Sequence, residues 1–215
     1  MRVLPSRQTI RRPRLPVIQP RSSIQPIWTG AGKSSCSPRF ATSSAKRRCS
    51  HRGCRARARR SVRMTNCGPL GWVSDISGYR YQETHPLTGQ PWPKIPALLL
   101  KAWSELGHYQ HEPEACLINY YGHSAKMGLH QDRDERDLQA PVVSLSLGDT
   151  CIFRYGGVQR RGPTHTFRLA SGDAVVLANQ TRLAFHGVDR IVAGTSTLLA
   201  EGGRFNLTLR RVTEP

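Results

Sequence analysis

Beyond residue 114 the chain breaks into short apolar runs, none of helical length, each closed by residues that turn a backbone. The runs are residues 115–121, 142–147, 150–155, 164–169, 174–178, 183–185 and 204–212. Gly148-Asp149, Gly156-Gly157 and Ser171-Gly172-Asp173 stand between them. Glycine reaches positive φ without a Cβ penalty, and Asp and Ser close tight turns with their own side chains. Many short strands at close spacing predict a mainly β fold with some α (α+β), a sandwich or jelly roll, and exclude alternating strand–helix units. One helical pattern precedes them. Across residues 94–106, Ile95, Leu98, Leu99, Ala102, Trp103 and Leu106 recur at helical spacing, and Gly107 is the predicted stop. Upstream of it, Trp72, Tyr79, Tyr81 and Trp92 punctuate what reads as a loop region rich in Gly and Pro.

The formal net charge of +18 is unevenly placed. Residues 1–74 hold 17 Lys and Arg and no acid, whereas residues 75–215 hold 15 basic and 14 acidic residues. The basic character therefore does not belong to the strand-rich part, and a uniformly basic, histone-like protein is excluded. Residues 1–60 lack any period and hold six prolines within the first 38 positions, too little apolar surface to offset chain entropy. No stretch of about 18 apolar residues exists, which excludes a transmembrane helix. The six cysteines (Cys36, Cys49, Cys54, Cys67, Cys116 and Cys151) form no disulfide framework and read as reduced thiols of a cytoplasmic protein. Cys49-x-His51-x2-Cys54 lacks a fourth ligand at zinc spacing.

Chemistry concentrates in Leu129-His130-Gln131-Asp132-Arg133-Asp134-Glu135. His130 and Asp132 are two apart, so on extended backbone they share a face. With His186 much later, they make two imidazoles and one carboxylate, a set that leaves open positions and suits Fe(II). A His-x-Asp pair alone is common on solvated surfaces. The last run sharpens the reading: alternation puts Arg204, Asn206, Thr208 and Arg210 on one face and Phe205, Leu207 and Leu209 on the other. Beside a metal motif, a planar guanidinium suits the far carboxylate of a dicarboxylic acid whose other end chelates iron. The residues thus predict an Fe(II) oxygenase that consumes an acidic co-substrate.

From Ser61 onward the chain resembles the bacterial AlkB proteins, Fe(II)/2-oxoglutarate-dependent dioxygenases that repair alkylated nucleic acid. The matching stretches are MTNCGPLGW at 64–72, GYRY at 78–81, PWP at 91–93, ACLINYY at 115–121, HQDRDE at 130–135, APVVSLSLG at 140–148, FRYGG at 153–157, FHGV at 185–188 and RFNLTLR at 204–210. The resemblance implies a double-stranded β-helix (jelly roll) with a flanking helix and nucleotide-recognition loops. It implies iron on His130, Asp132 and His186, and 2-oxoglutarate among Arg204, Asn119, Tyr121, Asn206 and Arg210. It implies a flipped base stacked on Trp72 with His130 opposite, its exocyclic amine met by Asp134, and the neighbouring backbone or base edge held by Tyr79 and Arg160, with Arg161 the alternative to Arg160. Fe(II), 2-oxoglutarate and O2 are then the cofactor and co-substrates. The implied reaction hydroxylates the N-methyl group of N1-methyladenine or N3-methylcytosine and releases formaldehyde, succinate and CO2. The expected partner is alkylated DNA, single-stranded by preference, with RNA the alternative, and the expected actor is a monomer in the bacterial cytoplasm.

Two departures from the family pattern stand out. The stretch Val176-Leu177-Ala178-Asn179-Gln180, before the last expected iron ligand, stands where the family pattern often has a Trp-Gly-Gly, so a repacked wall near the metal is expected. Residues 1–60 carry no trace of the family's N-terminal lid. A transit peptide or a phosphate-binding tail would add to that lid and not replace it, so a frameshift or mis-called start is the favoured reading, and residues 61–215 are taken as the dioxygenase domain. Two other functions compete: a non-catalytic basic nucleic-acid-binding protein, which leaves the convergence of His130, Asp132, His186 and Arg204 unused, and a related oxygenase acting on RNA, protein or a small molecule.

Overall fold

The computed structural model describes residues 62–215. The readings of residues 1–60, the cysteine–histidine fragment at 49–54 among them, lie outside the described residues. The elements are β1 (Val62–Cys67), β2 (Gly71–Asp75), β3 (Gly78–Gln82), α1 (Ala97–Gly107), β4 (Ala115–Tyr121), β5 (Met127–His130), β6 (Val142–Gly148), β7 (Thr150–Tyr155), β8 (His165–Leu169), β9 (Ala174–Leu177), β10 (His186–Val192) and β11 (Arg204–Arg210). They form a five-stranded sheet ordered β1-β4-β11-β6-β9, a four-stranded sheet ordered β5-β10-β7-β8, and the separate hairpin β2-β3. Every pairing is antiparallel.

The two larger sheets face one another as a jelly roll. Val62, Tyr121, Val142, Val175 and Leu177 of the first meet Cys151, Phe153, Leu169, Val188 and Ile191 of the second in one apolar cluster. The outer face of the five-stranded sheet is also covered. Leu99 and Trp103 of α1 pack there on Cys67, Cys116, Val143, Leu145 and Leu209. Burial on both faces explains why β4 reads as a near-continuous apolar run instead of clean alternation. β11 pairs with β4 and β6, so it is the central strand. Its pleat sends Arg204, Thr208 and Arg210 into the interior between the sheets, all buried, in place of the apolar residues such a position usually holds.

The structure differs from the sequence expectations in four places. The loop region around Trp72 and Tyr79 is the hairpin β2-β3. Residues 183–185 are no strand: Ala184 N–H bonds back to Thr181 and Phe185 N–H bonds to Gly157, and the strand begins at His186 instead of ending there. β1 and β5 carry no long apolar run and escaped the pattern. Gly107 remains helical, and the left-handed residue that ends α1 is His108 at φ 48°. Gly107 serves packing instead, since a Cβ there would lie 3.3 Å from Pro141 Cγ.

Candidate active site

His130 ends β5 and His186 opens β10, and the two are directly paired across those strands. Their ring centroids lie 4.5 Å apart. Close approach of the strands needs Gly187, because a Cβ there would lie 2.5 Å from the Met127 carbonyl oxygen. Asp132, in the loop just after β5, turns its carboxylate between the rings: Oδ1 lies 3.8 Å from His130 Nε2 and Oδ2 3.8 Å from His186 Nε2. All three ligand atoms fall within 4.8 Å of one another, a spacing that could hold one metal ion.

Protonation follows from the hydrogen bonds. His130 Nδ1 faces the Gly128 carbonyl at 2.9 Å and His186 Nδ1 faces the Ala184 carbonyl at 3.0 Å. A carbonyl only accepts, so each Nδ1 carries the proton and each Nε2 offers its lone pair to the centre. Burial holds the His186 imidazole below its ordinary pKa, which favours that neutral form. Burial alone would raise the Asp132 carboxyl, but Arg210, with the imidazoles, overrides it and holds the group well below the usual carboxylate range. Arg210 Nη2 donates to Asp132 Oδ2 at 2.8 Å.

The cluster opens into a cavity of about 820 Å³. Asn119, Tyr121, Asn206 and Arg210 line it; Arg204 stands one contact behind, donating from Nη2 to Ser146 Oγ at 2.8 Å and to Asn206 Oδ1 at 2.9 Å. Its guanidinium carbon lies 5.6 Å from the Tyr121 ring centroid. Burial raises the Tyr121 hydroxyl pKa to about 12, so it stays a donor. Arg204 is 1 % exposed, yet its Nε and Nη1 have no hydrogen-bond partner, and no carboxylate of the described residues pairs with it. A buried cation of this kind is costly unless an anion meets it, and a guanidinium fork fits a carboxylate. Asn119 Oδ1 is likewise buried without a partner. The donor set thus fits a dicarboxylic co-substrate beside a metal.

The expected base-binding residues gather on the rim of the same cavity. Trp72 on β2 and Tyr79 on β3 stack at 5.3 Å with planes 16° apart, and Tyr79 is 65 % exposed. Trp72 Nε1 donates to Asp134 Oδ2 at 2.9 Å. Arg160 lies over the Phe185 ring at 5.8 Å and lines the cavity with them. Leu177, within the stretch that departs from the family pattern, forms part of the apolar wall with Phe153, Val175 and Val188.

Sequence reasoning missed a buried ionic layer beneath the metal cluster. Tyr81 donates its hydroxyl to Glu135 Oε1 at 2.5 Å. Arg182 reaches Glu135 Oε2 at 3.0 Å, the Asp132 carbonyl at 2.6 Å and the Ala140 carbonyl at 2.7 Å. Arg210 Nε lies 3.3 Å from Glu135 Oε1. Glu135 sat inside the quoted HQDRDE stretch, but nothing in the text around Arg182 points to a partner 47 residues away.

The chain matches the model of the 2OG-Fe(II) oxygenase superfamily over residues 33–210. It is 58 % identical over 151 residues to the alpha-ketoglutarate-dependent dioxygenase AlkB homolog of Caulobacter vibrioides, covering 70 % of this chain and 69 % of that protein. It is 44 % identical over 155 residues to the alpha-ketoglutarate-dependent dioxygenase AlkB of Escherichia coli, covering 70 % and 71 %. The solved structure of OsALKBH1 superposes with a TM-score of 0.58 at 34 % identity, covering 70 % of this chain and 78 % of that one. More distant relatives are named as a DNA N(6)-methyladenine demethylase in Arabidopsis thaliana and a tRNA demethylase in Schizosaccharomyces pombe.

Proposed function

This chain belongs to the 2OG-Fe(II) oxygenase superfamily and, within it, to the bacterial AlkB family of alpha-ketoglutarate-dependent dioxygenases, and we propose that it oxidatively demethylates N1-methyladenine and N3-methylcytosine in DNA. Fe(II), 2-oxoglutarate and O2 are the cofactor and co-substrates of that superfamily. The carrying observation is that a stacked aromatic pair, half-buried Trp72 and exposed Tyr79, and a carboxylate, Asp134, share one cavity with the His130–Asp132–His186 cluster. Iron with its co-substrate supplies the oxidation that hydroxylates the N-methyl carbon, after which formaldehyde is lost.

The chain's own residues supply the rest. A base inside a duplex cannot reach the cluster, so it must be extruded, and the Trp72 indole replaces its lost stacking. N1-methyladenine and N3-methylcytosine are cationic and pair badly, which lowers the cost of extrusion, and Asp134 favours their charge. Arg204 and Arg210 orient the co-substrate's carboxylates, and Nε2 of His130 and His186 with Asp132 hold the metal. The apolar wall of Phe153, Val175, Leu177 and Val188 limits water at the reacting carbon. DNA is preferred over RNA as the substrate, single-stranded over duplex, with the protein acting as a monomer in the bacterial cytoplasm; no helix of the described residues is long and apolar enough to cross a membrane.

The test is incubation with Fe(II), 2-oxoglutarate and an oligonucleotide carrying either lesion. Formaldehyde release and the restored base are expected, and both are lost in His130→Ala while the fold persists. Succinate formation without base repair would sink this substrate and leave the oxygenase.

A further inference from the structure

Glu135 is buried, 1 % exposed at its side chain, and three elements converge on it. Oε1 accepts the hydroxyl of Tyr81, from the recognition hairpin, and faces Arg210 Nε of the central strand β11. Oε2 accepts from Arg182, whose second arm holds the Asp132 carbonyl. Tyr81 is the direct cross-strand partner of Trp72. The hairpin is thereby fastened at Trp72 to Asp134 and at Tyr81 to Glu135, two carboxylates of the six-residue stretch that also carries His130 and Asp132. Arg210 closes the loop, since its Nη2 holds the Asp132 oxygen that faces His186.

We propose that Glu135 is a positioning residue that links occupancy of the metal and co-substrate site to the placement of the Trp72 hairpin. The inference rests on the reading of the cavity as an iron and 2-oxoglutarate site with a base platform at its rim. A metal held by Asp132 would draw on the carboxylate that Arg210 grips, and a co-substrate carboxylate would draw on the same guanidinium. Either rearrangement shifts the Arg210 charge, whose Nε lies 3.3 Å from Glu135 Oε1 without a hydrogen bond, and Glu135 Oε1 is the oxygen on which Tyr81 hangs the hairpin. By linkage, what orders the hairpin also favours the loaded centre. The Tyr81–Glu135 bond is charge-assisted and its acceptor is buried, so its loss is large.

The test follows amide hydrogen exchange across residues 71–82 of the full chain, with and without Mn(II), a redox-silent metal, and 2-oxoglutarate. No nucleic acid is present, so the result stands apart from the demethylation assay. In the wild type, the two ligands together slow hairpin exchange by roughly tenfold. Tyr81→Phe removes one hydroxyl and keeps the ring. It still binds Mn(II) and 2-oxoglutarate, with affinity lowered by no more than the lost coupling, about tenfold, yet its hairpin exchange no longer responds to them. Glu135→Gln, which also weakens the hold on Arg182 and Arg210, loses the response and some 2-oxoglutarate affinity together. A Tyr81→Phe hairpin that responds like the wild type, or a wild-type hairpin that ignores both ligands, overturns the proposal. A responsive hairpin in a protein that repairs no methylated oligonucleotide overturns the proposed substrate and leaves this linkage standing.

Discussion

The indole of Trp72 donates its N–H to Asp134 at 2.9 Å, so the aromatic platform and the acid beside it are tied to each other before any base arrives. The bond fixes the tilt of the indole and leaves the carboxylate's second oxygen for a ligand. Asp134→Asn keeps an oxygen for the indole N–H and removes the charge. Turnover of the cationic N3-methylcytosine should then fall about tenfold in kcat/KM, about 1.4 kcal/mol. The neutral N3-methylthymine should change much less. Asp134→Ala frees the indole as well and should weaken both. Paired kinetics on the two lesions decide it: equal losses in Asp134→Asn would mean that charge plays no part.

Metal ligation and fold stability separate at His130 and Asp132. Asp132 is buried and ion-paired with buried Arg210, whereas His130 is half-exposed and gives its Nδ1 proton to a backbone carbonyl. Both alanine variants should lose metal-dependent turnover. Asp132→Ala also takes the hydrogen-bonded carboxylate from the buried Arg210 guanidinium and leaves it only Glu135 at 3.3 Å; breaking a buried pair typically costs about 3–5 kcal/mol. Its metal-free melting temperature should fall well below that of His130→Ala, which should stay near the wild type. Equal melting temperatures would show that Glu135 alone compensates the Arg210 charge.

How much of this was legible before the structure depends on the kind of signal. β4, β7 and β11 were readable because apolar runs with turn residues at their ends survive burial on either face. β5 and β10 were not, since Met127–His130 is short and His186–Val192 mixes charged residues into a sheet packed on one face. The pairing of His130 with His186 is a register between strands 56 residues apart, which no local pattern encodes. Alternation did put Arg204 and Arg210 on one face, but the face turned inward, and the ionic layer of Arg182, Glu135 and Tyr81 needed the fold to bring its members together.

Arg204 gives a test of the co-substrate site that keeps charge constant. Its Nε and Nη1 are the unpartnered nitrogens, while Nη2 is spent on Ser146 and Asn206. Lysine keeps the cation but cannot present a planar fork. Arg204→Lys should raise KM for 2-oxoglutarate by about 10- to 100-fold, roughly one to two charge-assisted bonds, with a smaller effect on kcat. In the wild type, Mn(II) with saturating 2-oxoglutarate should raise the melting temperature, and Arg204→Lys should show less of that gain at the same concentration. An unchanged KM would place the co-substrate's far carboxylate elsewhere.

Acid should unfasten the molecule away from the catalytic cavity, at Asp149. This side chain is fully buried after β6, where Oδ1 accepts the N–H groups of Thr195 and Ser196 and Oδ2 accepts that of Gly203, pinning both ends of the loop between β10 and β11. His123 Nε2 lies 3.6 Å from Oδ2. Burial pushes the carboxyl pKa up, but the backbone donors outweigh it and hold the group below its ordinary value. The folded state therefore prefers the ionised form. That contribution is complete above the unfolded value of about 3.9 and is lost as pH falls through the lower folded value. Asp149→Asn should lower the melting temperature at pH 7 by roughly 5 °C, in line with about 2 kcal/mol for a broken buried network in a domain of this size. The gap between wild type and variant should narrow as pH drops from 5 toward 3, because protonation brings the wild type to the variant's state. Melting curves at each pH, run also in His123→Ala to remove the neighbouring imidazole, isolate the carboxylate. A gap that stays constant down to pH 3 would show that Asp149 stabilises the loop independently of its charge.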